Sequence, residues 1–414
     1  MANVLFLVHR LPYPPNKGDK VRSYHLLKHL AAKHRVFLGT FVDDPEDEAH
    51  VETVRGLCTS LHASRLHPKR ARLMSLGGLA TGKALTLEYY RDAALAAWVQ
   101  QLRQTERIDA VVVFSSSMGQ YAEGLSAPML MDLVDVDSAK WTGYADAHRW
   151  PMSWLYRREG LELLRYERQV AALSQRVFLC TEKEADLFRG LAPESAGLVA
   201  AMGNGVDCDY FAPEPARPSP FKADELPIVF TGAMDYWPNI DAVQWFAQDM
   251  LPALRQRWPA ARFHIVGRSP TPAVRALAGE HVNVTGTVAD VRPYLQHAAA
   301  VVAPLRLARG IQNKILEAMA MQQPVVAAQV CVEAIDATPG EHLLAAHDTA
   351  DYLQALNTLL ADADSARRIG LNARRCVLQA YAWDARLAAL DDALLSALNV
   401  PTAPSAHAPV REAA

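Results

Sequence analysis

Residues 213–231 read PEPARPSPFKADELPIVFT. The first fifteen hold five prolines and no periodic apolar pattern, a composition that predicts an interdomain linker. The last four, Ile228–Thr231, form a short apolar run of the kind that makes a buried strand. From there the chain restarts an alternation of apolar runs and helical patterns that had already run once before the prolines. Two successive α/β domains are therefore expected, each with a parallel sheet and helical crossovers.

Working outward, the half before the linker predicts strands at Val4–Val8, Arg35–Phe41, Ala110–Phe114, Pro128–Leu133 and Arg176–Cys180. Helical periods fall at Asp19–Lys33, Ala94–Thr105 and Trp154–Ala172. The half after it predicts strands at Ile228–Thr231, Arg262–Val266, Val282–Thr285, Ala300–Ala303 and Val325–Ala328. Its helices are expected at Asp241–Arg257, Val288–His297, Ile311–Met321, Ala350–Ala361 and Ser365–Gln379, with a last amphipathic helix at Tyr381–Leu398. The expected division is a first domain at 1–200 plus 381–399, a linker at 201–227, a second domain at 228–380 and a disordered Ala/Pro-rich tail at 400–414. Ligands of such open sheets bind at the carboxyl ends of the strands.

Bulk composition agrees with two domains. The chain has 414 residues, half of them hydrophobic, more than one compact core usually holds. A net charge of -3 excludes the strongly basic balance of a nucleic-acid binder, so no nucleic acid is expected as partner. The five cysteines are scattered, without a C-x-x-C pair, which argues against a disulfide framework or a zinc site. The N-terminal apolar run of about five residues is too short for a signal peptide, and no stretch approaches the ~20 apolar residues of a membrane span. A cytoplasmic protein is expected, at most peripheral at the inner membrane face.

The stretch Gly310–Met321, GIQNKILEAMAM, follows a basic loop, Arg306-Leu-Ala-Arg309. A helix starting there would aim free N–H groups and its positive dipole end at a phosphate. Lys314 in its first turn is poorly placed for the dipole unless an anion compensates. Glu317, three residues on, could accept two hydrogen bonds from a ribose diol. The same residues also read as an ordinary amphipathic helix with a Lys and a Glu in solvent, and spacing does not choose.

Asp135-Val136-Asp137 is a D-x-D pair that could share a cation if both lie on a strand. A carboxylate facing the substrates and an aspartate capping the next helix are the other readings. His9 closes the first strand as either a structural residue or a ligand. Asn204-Gly205 reads as a turn needing positive φ. Gly203-x-Gly205 is followed by Cys208 where a dinucleotide fingerprint needs its third glycine, so a dehydrogenase is poorly supported. Basic residues collect at Arg65, Lys69, Arg70 and Arg72 beside Leu66, Leu73, Met74 and Leu76. A second set, Arg157, Arg158, Arg165 and Arg168, lies on the helix of Trp154, Leu155, Leu161 and Leu164. Both sets read either as solvated helix faces or domain contacts, or as surfaces drawn to anionic lipid.

Pro304-Leu305 with GIQNKILEAMA, and Asn204-Gly205-Val206-Asp207, resemble glycosyltransferase family 4 of the GT-B fold. So do Thr231-Gly232 through Asp235 with Pro238-Asn239, Ile265-Val266-Gly267, and Gly286 through Arg292. Leu11 through Arg22, with Asp132 through Ser138, is similar to the subset of bacterial sugar transferases associated with exosortase and exopolysaccharide systems. The resemblance implies two Rossmann-like domains facing across a cleft, with the C-terminal helix crossing back to the first. It implies a retaining transfer from a nucleoside diphosphate sugar to a glycan or lipid-linked acceptor, with no cofactor and no required metal.

Carried over by residue, Glu317 would hold the donor ribose, and Arg309, Gly310, Gln312 and Asn313 would reach the sugar and pyrophosphate. Gly18 and Gly232 would let backbone approach phosphate, and Val288 would sit near the base. Asp135, Asp137 and His9 are the catalytic candidates. Two positions depart from the family. Arg309 stands where relatives carry a second glutamate, and Met234, Asp235 and Tyr236 stand where many carry an Arg and a Lys. Arg309, Lys314 and Arg268 are candidates to neutralise phosphate instead. A nucleotide-sugar epimerase and a catalytically silent nucleotide-sugar-binding partner are the rival readings. The sequence is silent on oligomeric state.

Overall fold

The computed structural model describes residues 1–15, 18–308 and 311–399. Among them the chain forms two compact units. One comprises Met1–Asn204 with the C-terminal helix from Leu387, the other Gly205–Arg386.

The first unit holds β1 (Asn3–Val8), β2 (Arg35–Val42), β3 (Ser60–Arg65), β4 (Ala110–Phe114), β5 (Met129–Val134), β6 (Arg176–Leu179) and β7 (Val199–Ala201). They form one parallel sheet in the order β3-β2-β1-β4-β5-β6-β7. The second unit holds β8 (Leu226–Thr231), β9 (Ala261–Val266), β10 (Val282–Gly286), β11 (Ala300–Ala303), β12 (Val325–Ala328) and β13 (Leu344–Ala346). Its order, β10-β9-β8-β11-β12-β13, repeats the same doubly wound plan. In each sheet the order reverses beside the first strand, between β1 and β4 and between β8 and β11. The carboxyl ends there form the crevice such sheets use for ligands.

Why these residues make these strands follows from burial on both faces. All five residues of β4 and all four of β11 and β12 are buried, so their continuous Val/Ala runs suit a parallel sheet covered by helices on either side. Each unit has its own core. Leu5, Val111, Val113, Phe188 and Val170 belong to one cluster, and Phe230, Phe246, Phe263, Leu316 and Tyr352 to the other.

The proline-rich stretch is not a free tether. Arg217 is buried and donates to Gln296 Oε1 and to the Ala212 carbonyl (3.1 Å), while Glu214 N–H donates to Gln296 at 2.9 Å. Phe221 packs 4.5 Å from the His264 ring, and Leu226-Pro227 already belong to β8. The segment is pinned to the second unit because its polar side chains satisfy backbone and loop groups there. Gly205 corrects another expectation. Its φ is not positive. The glycine is needed because a Cβ would fall 2.8 Å from the Trp383 ring.

Candidate functional site

In the second unit, β8 ends at Thr231 and the chain turns at Gly232, whose φ of 157° few side-chain-bearing residues adopt. The neighbouring β9 ends at Val266 and turns at Gly267 (φ 154°). The two turns touch: a Cβ on Gly267 would lie 1.7 Å from the Gly232 carbonyl oxygen. Only two glycines allow these strand ends to approach so closely. On the other side, a Cβ on Gly232 would meet Asn239 Nδ2 at 2.8 Å and Lys314 Nζ at 3.3 Å.

Lys314 reaches this turn from the helix Asn313–Ala320, which follows β11. Gln312, in extended backbone, is its N-cap residue, so the helix starts two residues after the expected Ile311. The short helix buries Ile315, Leu316, Ala318, Met319 and Ala320, which fixes the direction of Lys314. Its ammonium donates to Asn239 Oδ1 and lies 4.5 Å from the Phe230 ring centroid. Asn239 is buried and anchored in turn by donating to the Ala233 carbonyl at 2.9 Å.

No carboxylate forms an ion pair with Lys314 among the described residues. Desolvation pushes its pKa down to about 8, opposed only weakly by Cys331 and Glu317. Burial likewise pushes the Glu317 carboxyl up to about 7, against the pull of Lys314. Both groups are partly buried and biased toward their neutral forms, and a bound anion over Lys314 would restore the charge of the lysine.

The remaining expectations for this unit divide. Arg268 follows Gly267, accepts the Met234 N–H through its carbonyl (2.8 Å) and exposes its side chain. Val288 is partly buried against the core, and Asn313 is exposed. Arg306 is drawn off by an ion pair with Asp241 and lies 5.1 Å from the Trp245 ring. Arg309 and Gly310 fall outside the described residues. Beside the turn that carries Val288, Asp290 holds Arg292 at 2.8 Å, and the guanidinium sits 4.0 Å over the Tyr210 ring. Tyr210 was not singled out in the sequence, where nothing marks the aromatic pair Tyr210-Phe211 before the prolines. Asn239 sat inside a quoted stretch, but only the fold brings it to Lys314.

In the first unit, His9 follows β1 and stacks 5.7 Å from Phe114, the last residue of β4. Its Nε2 lies 3.5 Å from Asp19 Oδ2, which also receives Arg10 at 3.0 Å. Burial would raise the Asp19 carboxyl, but His9 and Arg10 overcome it and hold the group far below its usual range. His9 Nδ1 is buried without a partner among the described residues. Gly18 is the first residue of the helix Gly18–Lys33 rather than a loop residue before it.

The D-x-D geometry is corrected. Asp137 is the first residue of the helix Asp137–Ala147, and Asp135 lies in the bend after β5, which ends at Val134, so the pair does not share a strand face. Neither caps the helix, whose N-cap is Val136. Lys140 bridges the two, at 2.8 Å to Asp135 and 2.9 Å to Asp137. Asp135 also accepts from the Cys180 thiol at 2.8 Å. Burial and Asp135 together push that thiol up to about 12. Val134, just before, has φ 68°, a strained value for a β-branched residue at a sheet's ligand end.

Beneath lies a network the sequence reading missed. Buried Arg22 binds buried Asp132 through Nε (2.8 Å) and Nη2 (3.1 Å), and Asn204 through Nη1 (3.0 Å). All three residues stood in quoted stretches. No signal along the chain tells a buried bidentate pair from two solvated charges.

Residues 225–362, within the second unit, match the model for the family "Glycosyl transferases group 1". No curated protein matches the chain in sequence. Solved structures match over nearly its whole length. HepE of Anabaena in complex with UDP is 17% identical, with a TM-score of 0.64, covering 96% of this chain and 100% of that one. Sucrose-phosphate synthase of Thermosynechococcus elongatus is 18% identical, with a TM-score of 0.63 and coverage of 96% and 100%. A variant of S. aureus TarM with Fondaparinux, alpha-GlcNAc-glycerol and UDP is 12% identical, with a TM-score of 0.57 and the same coverage. At these identities the likeness is one of fold, and the fold is GT-B: two parallel-sheet α/β units. Together with the family match, it supports a glycosyltransferase.

Proposed function

We propose that this protein takes a sugar from a nucleoside diphosphate sugar and transfers it, with retention at the anomeric carbon, to a glycan or lipid-linked acceptor in exopolysaccharide synthesis. The observation that carries the reading is the Lys314 ammonium, held by Asn239 beside Gly232 with no carboxylate as its counter-ion among the described residues. It stands where the carboxyl ends of β8 and β11 diverge, and a diphosphate is the anion that such a cation and a bare glycine backbone suit. Glu317, on the same helix, would take the ribose diol. Val288, near Tyr210, would border the base.

In the proposed reaction the bond from the anomeric carbon to the diphosphate oxygen breaks. The acceptor hydroxyl oxygen bonds that carbon on the same face, and its proton leaves with the nucleoside diphosphate. Lys314 stabilises the charge that develops on the departing oxygen, and the rest of catalysis is orientation. We expect no dependence on a divalent cation, because Lys140 already bridges Asp135 and Asp137. His9 and Asp135 remain the groups of the first unit nearest in kind to an acceptor-side role.

Thermal unfolding with UDP, GDP, ADP, TDP and CMP, with and without magnesium, tests the donor half. The UDP complexes of HepE and TarM make UDP the first ligand to try. At a hundredfold excess over the dissociation constant, binding adds about 2.7 kcal/mol. One nucleotide should raise the transition without magnesium, and Lys314→Met should shrink the shift. No shift with any nucleotide would remove the donor site. Conversion of the donor without an acceptor would mark an epimerase, and binding without turnover a silent partner.

A further inference from the structure

Between β3 and Ala84 the first unit carries two short helices, Pro68–Ser75 and Gly77–Thr81. They place Leu73, Met74, Leu76 and Leu79 in solvent, Leu73 at 71% exposure. The same segment exposes Lys69, Arg70, Arg72 and Lys83, and residues 66–84 contain no carboxylate. The sequence also offered Arg65 and Leu66 to this patch. The structure withdraws them, since Arg65 pairs with Glu48 and Leu66 is buried.

A second exposed group stands on the long helix Met152–Leu173 and just before it. Trp150 is 80% exposed, and Trp154 and Leu161 are more than half exposed. With Arg157 and Arg158 they line an open groove. The two groups are one surface, because Arg158 donates to the Gly78 carbonyl at 2.7 Å and the Lys83 carbonyl at 3.1 Å. Glu159 ties the same segment down by accepting from the Leu85 and Thr86 N–H groups. Opposing charge is sparse: Asp146 lies 3.6 Å from Arg157, Glu88 3.9 Å from Lys83, and Glu162, which also lines the groove, is paired with Arg165 at 2.7 Å. Arg165 and Arg168, farther along the helix, are neutralised by Glu162 and Glu194 and fall outside the surface.

Monomeric proteins rarely leave aliphatic and indole side chains so exposed in one place. When they are interleaved with exposed lysines and arginines, the chemistry fits an anionic bilayer, with rings at headgroup depth and cations against lipid phosphate. The position fits as well. One half of the surface follows the carboxyl end of β3, and the other lies on the helix pair that follows β5, so both border the rim where an open sheet takes its ligand.

We infer that the surface formed by residues 67–83 and 150–161 docks this protein on an anionic lipid bilayer. No helix among the described residues is long and apolar enough to cross a membrane, so the contact is peripheral. The inference deepens the acceptor side of the proposed function, but vesicle binding requires no donor, so either can fail alone.

The test is co-sedimentation of the full chain with vesicles of phosphatidylcholine alone and of phosphatidylcholine mixed equally with phosphatidylglycerol. Binding is expected to the mixed vesicles, to weaken with salt, and to be slight to the neutral ones. Each of Arg70→Gln, Arg72→Gln and Arg157→Gln should weaken it roughly fivefold. Leu73→Ser with Trp154→Ser should abolish it, while Arg168→Gln should not change it. Each variant's unfolding transition should match the parent's, which shows that the fold is intact. Equal binding to both vesicles, no binding, or an equal loss with Arg168→Gln would overturn the inference. So would a dimer in solution that Leu73→Ser and Trp154→Ser dissociate, since the surface would then be covered by a second copy.

Discussion

Lys314 and Glu317 sit three residues apart on one short helix, and burial shifts them in opposite directions, to about 8 and about 7. In the ligand-free protein the native state keeps a proton on Glu317 between pH 4.5 and 7 that the unfolded chain has lost, so this group lowers stability as pH rises there. Between pH 8 and 10.5 the unfolded chain keeps the Lys314 proton that the native state has lost, so this group raises stability with pH there. Nucleotide binding should want the opposite charges, Lys314 protonated against phosphate and Glu317 ionised against ribose. Affinity measured by titration calorimetry should therefore peak between about pH 7 and 8 and fall on both sides. Lys314→Met should remove the alkaline limb and Glu317→Gln the acid one; limbs unchanged in both variants would detach these residues from the ligand. Arg22 and Asp132 make a different kind of pair, buried and fully bonded. Asp132→Asn strands a buried guanidinium and should cost about 3–5 kcal/mol in urea unfolding, whereas replacing both partners by apolar residues should cost less.

At the scale of elements, the proposed donor site depends on how two strand ends meet. Gly267→Ala would drive a methyl into the Gly232 carbonyl, 1.7 Å away, so β8 and β9 would have to part at their ends. It should abolish the nucleotide-dependent shift or unfold the second unit. Gly279→Ala, with nothing within 4 Å of the added methyl, should change stability by less than ~0.5 kcal/mol. Strands of this kind were legible where burial on both faces demands an apolar run. Ala110–Phe114, Ala300–Ala303 and Val325–Ala328 can be read directly from the chain. Three edge strands were not: β3, SLHASR, carries no such run, and β7 and β13, VAA and LAA, are only three residues long, whereas the edge strand β10 was read at Val282–Thr285. The site followed the same division. Lys314, Glu317 and Gly232 stood out by local spacing and resemblance. Asn239 and Tyr210 act through long-range contacts that no local pattern encodes. The D-x-D reading failed because the strand ends at Val134, before either carboxylate, and the helix starts at Asp137.

For the whole molecule, the sequence neighbours and packing neighbours of the C-terminal helix Trp383–Asn399 differ. From Leu387 on, it clusters with the first unit, although it follows the second directly along the chain. Leu387, Leu390, Leu394 and Ala397 are buried, and Asp391 receives His29 at 2.9 Å and Lys33 at 2.6 Å from the helix Gly18–Lys33. Burying a leucine contributes about 1.5–3 kcal/mol, so a chain ending at Arg386 loses several such contributions from the first unit at once. That is comparable with the ~5–15 kcal/mol that holds a domain folded. Gly232, Asn239, Lys314 and Glu317, by contrast, all lie between Gly205 and Arg386. Calorimetry of the shortened chain should therefore show the first unit's transition lowered or missing, and the second unit's still raised by the nucleotide that binds the full chain. If shortening abolished the nucleotide shift together with the first transition, the donor site would not be self-contained in the second unit. Lys314 and Asn239 would then need a partner from the first.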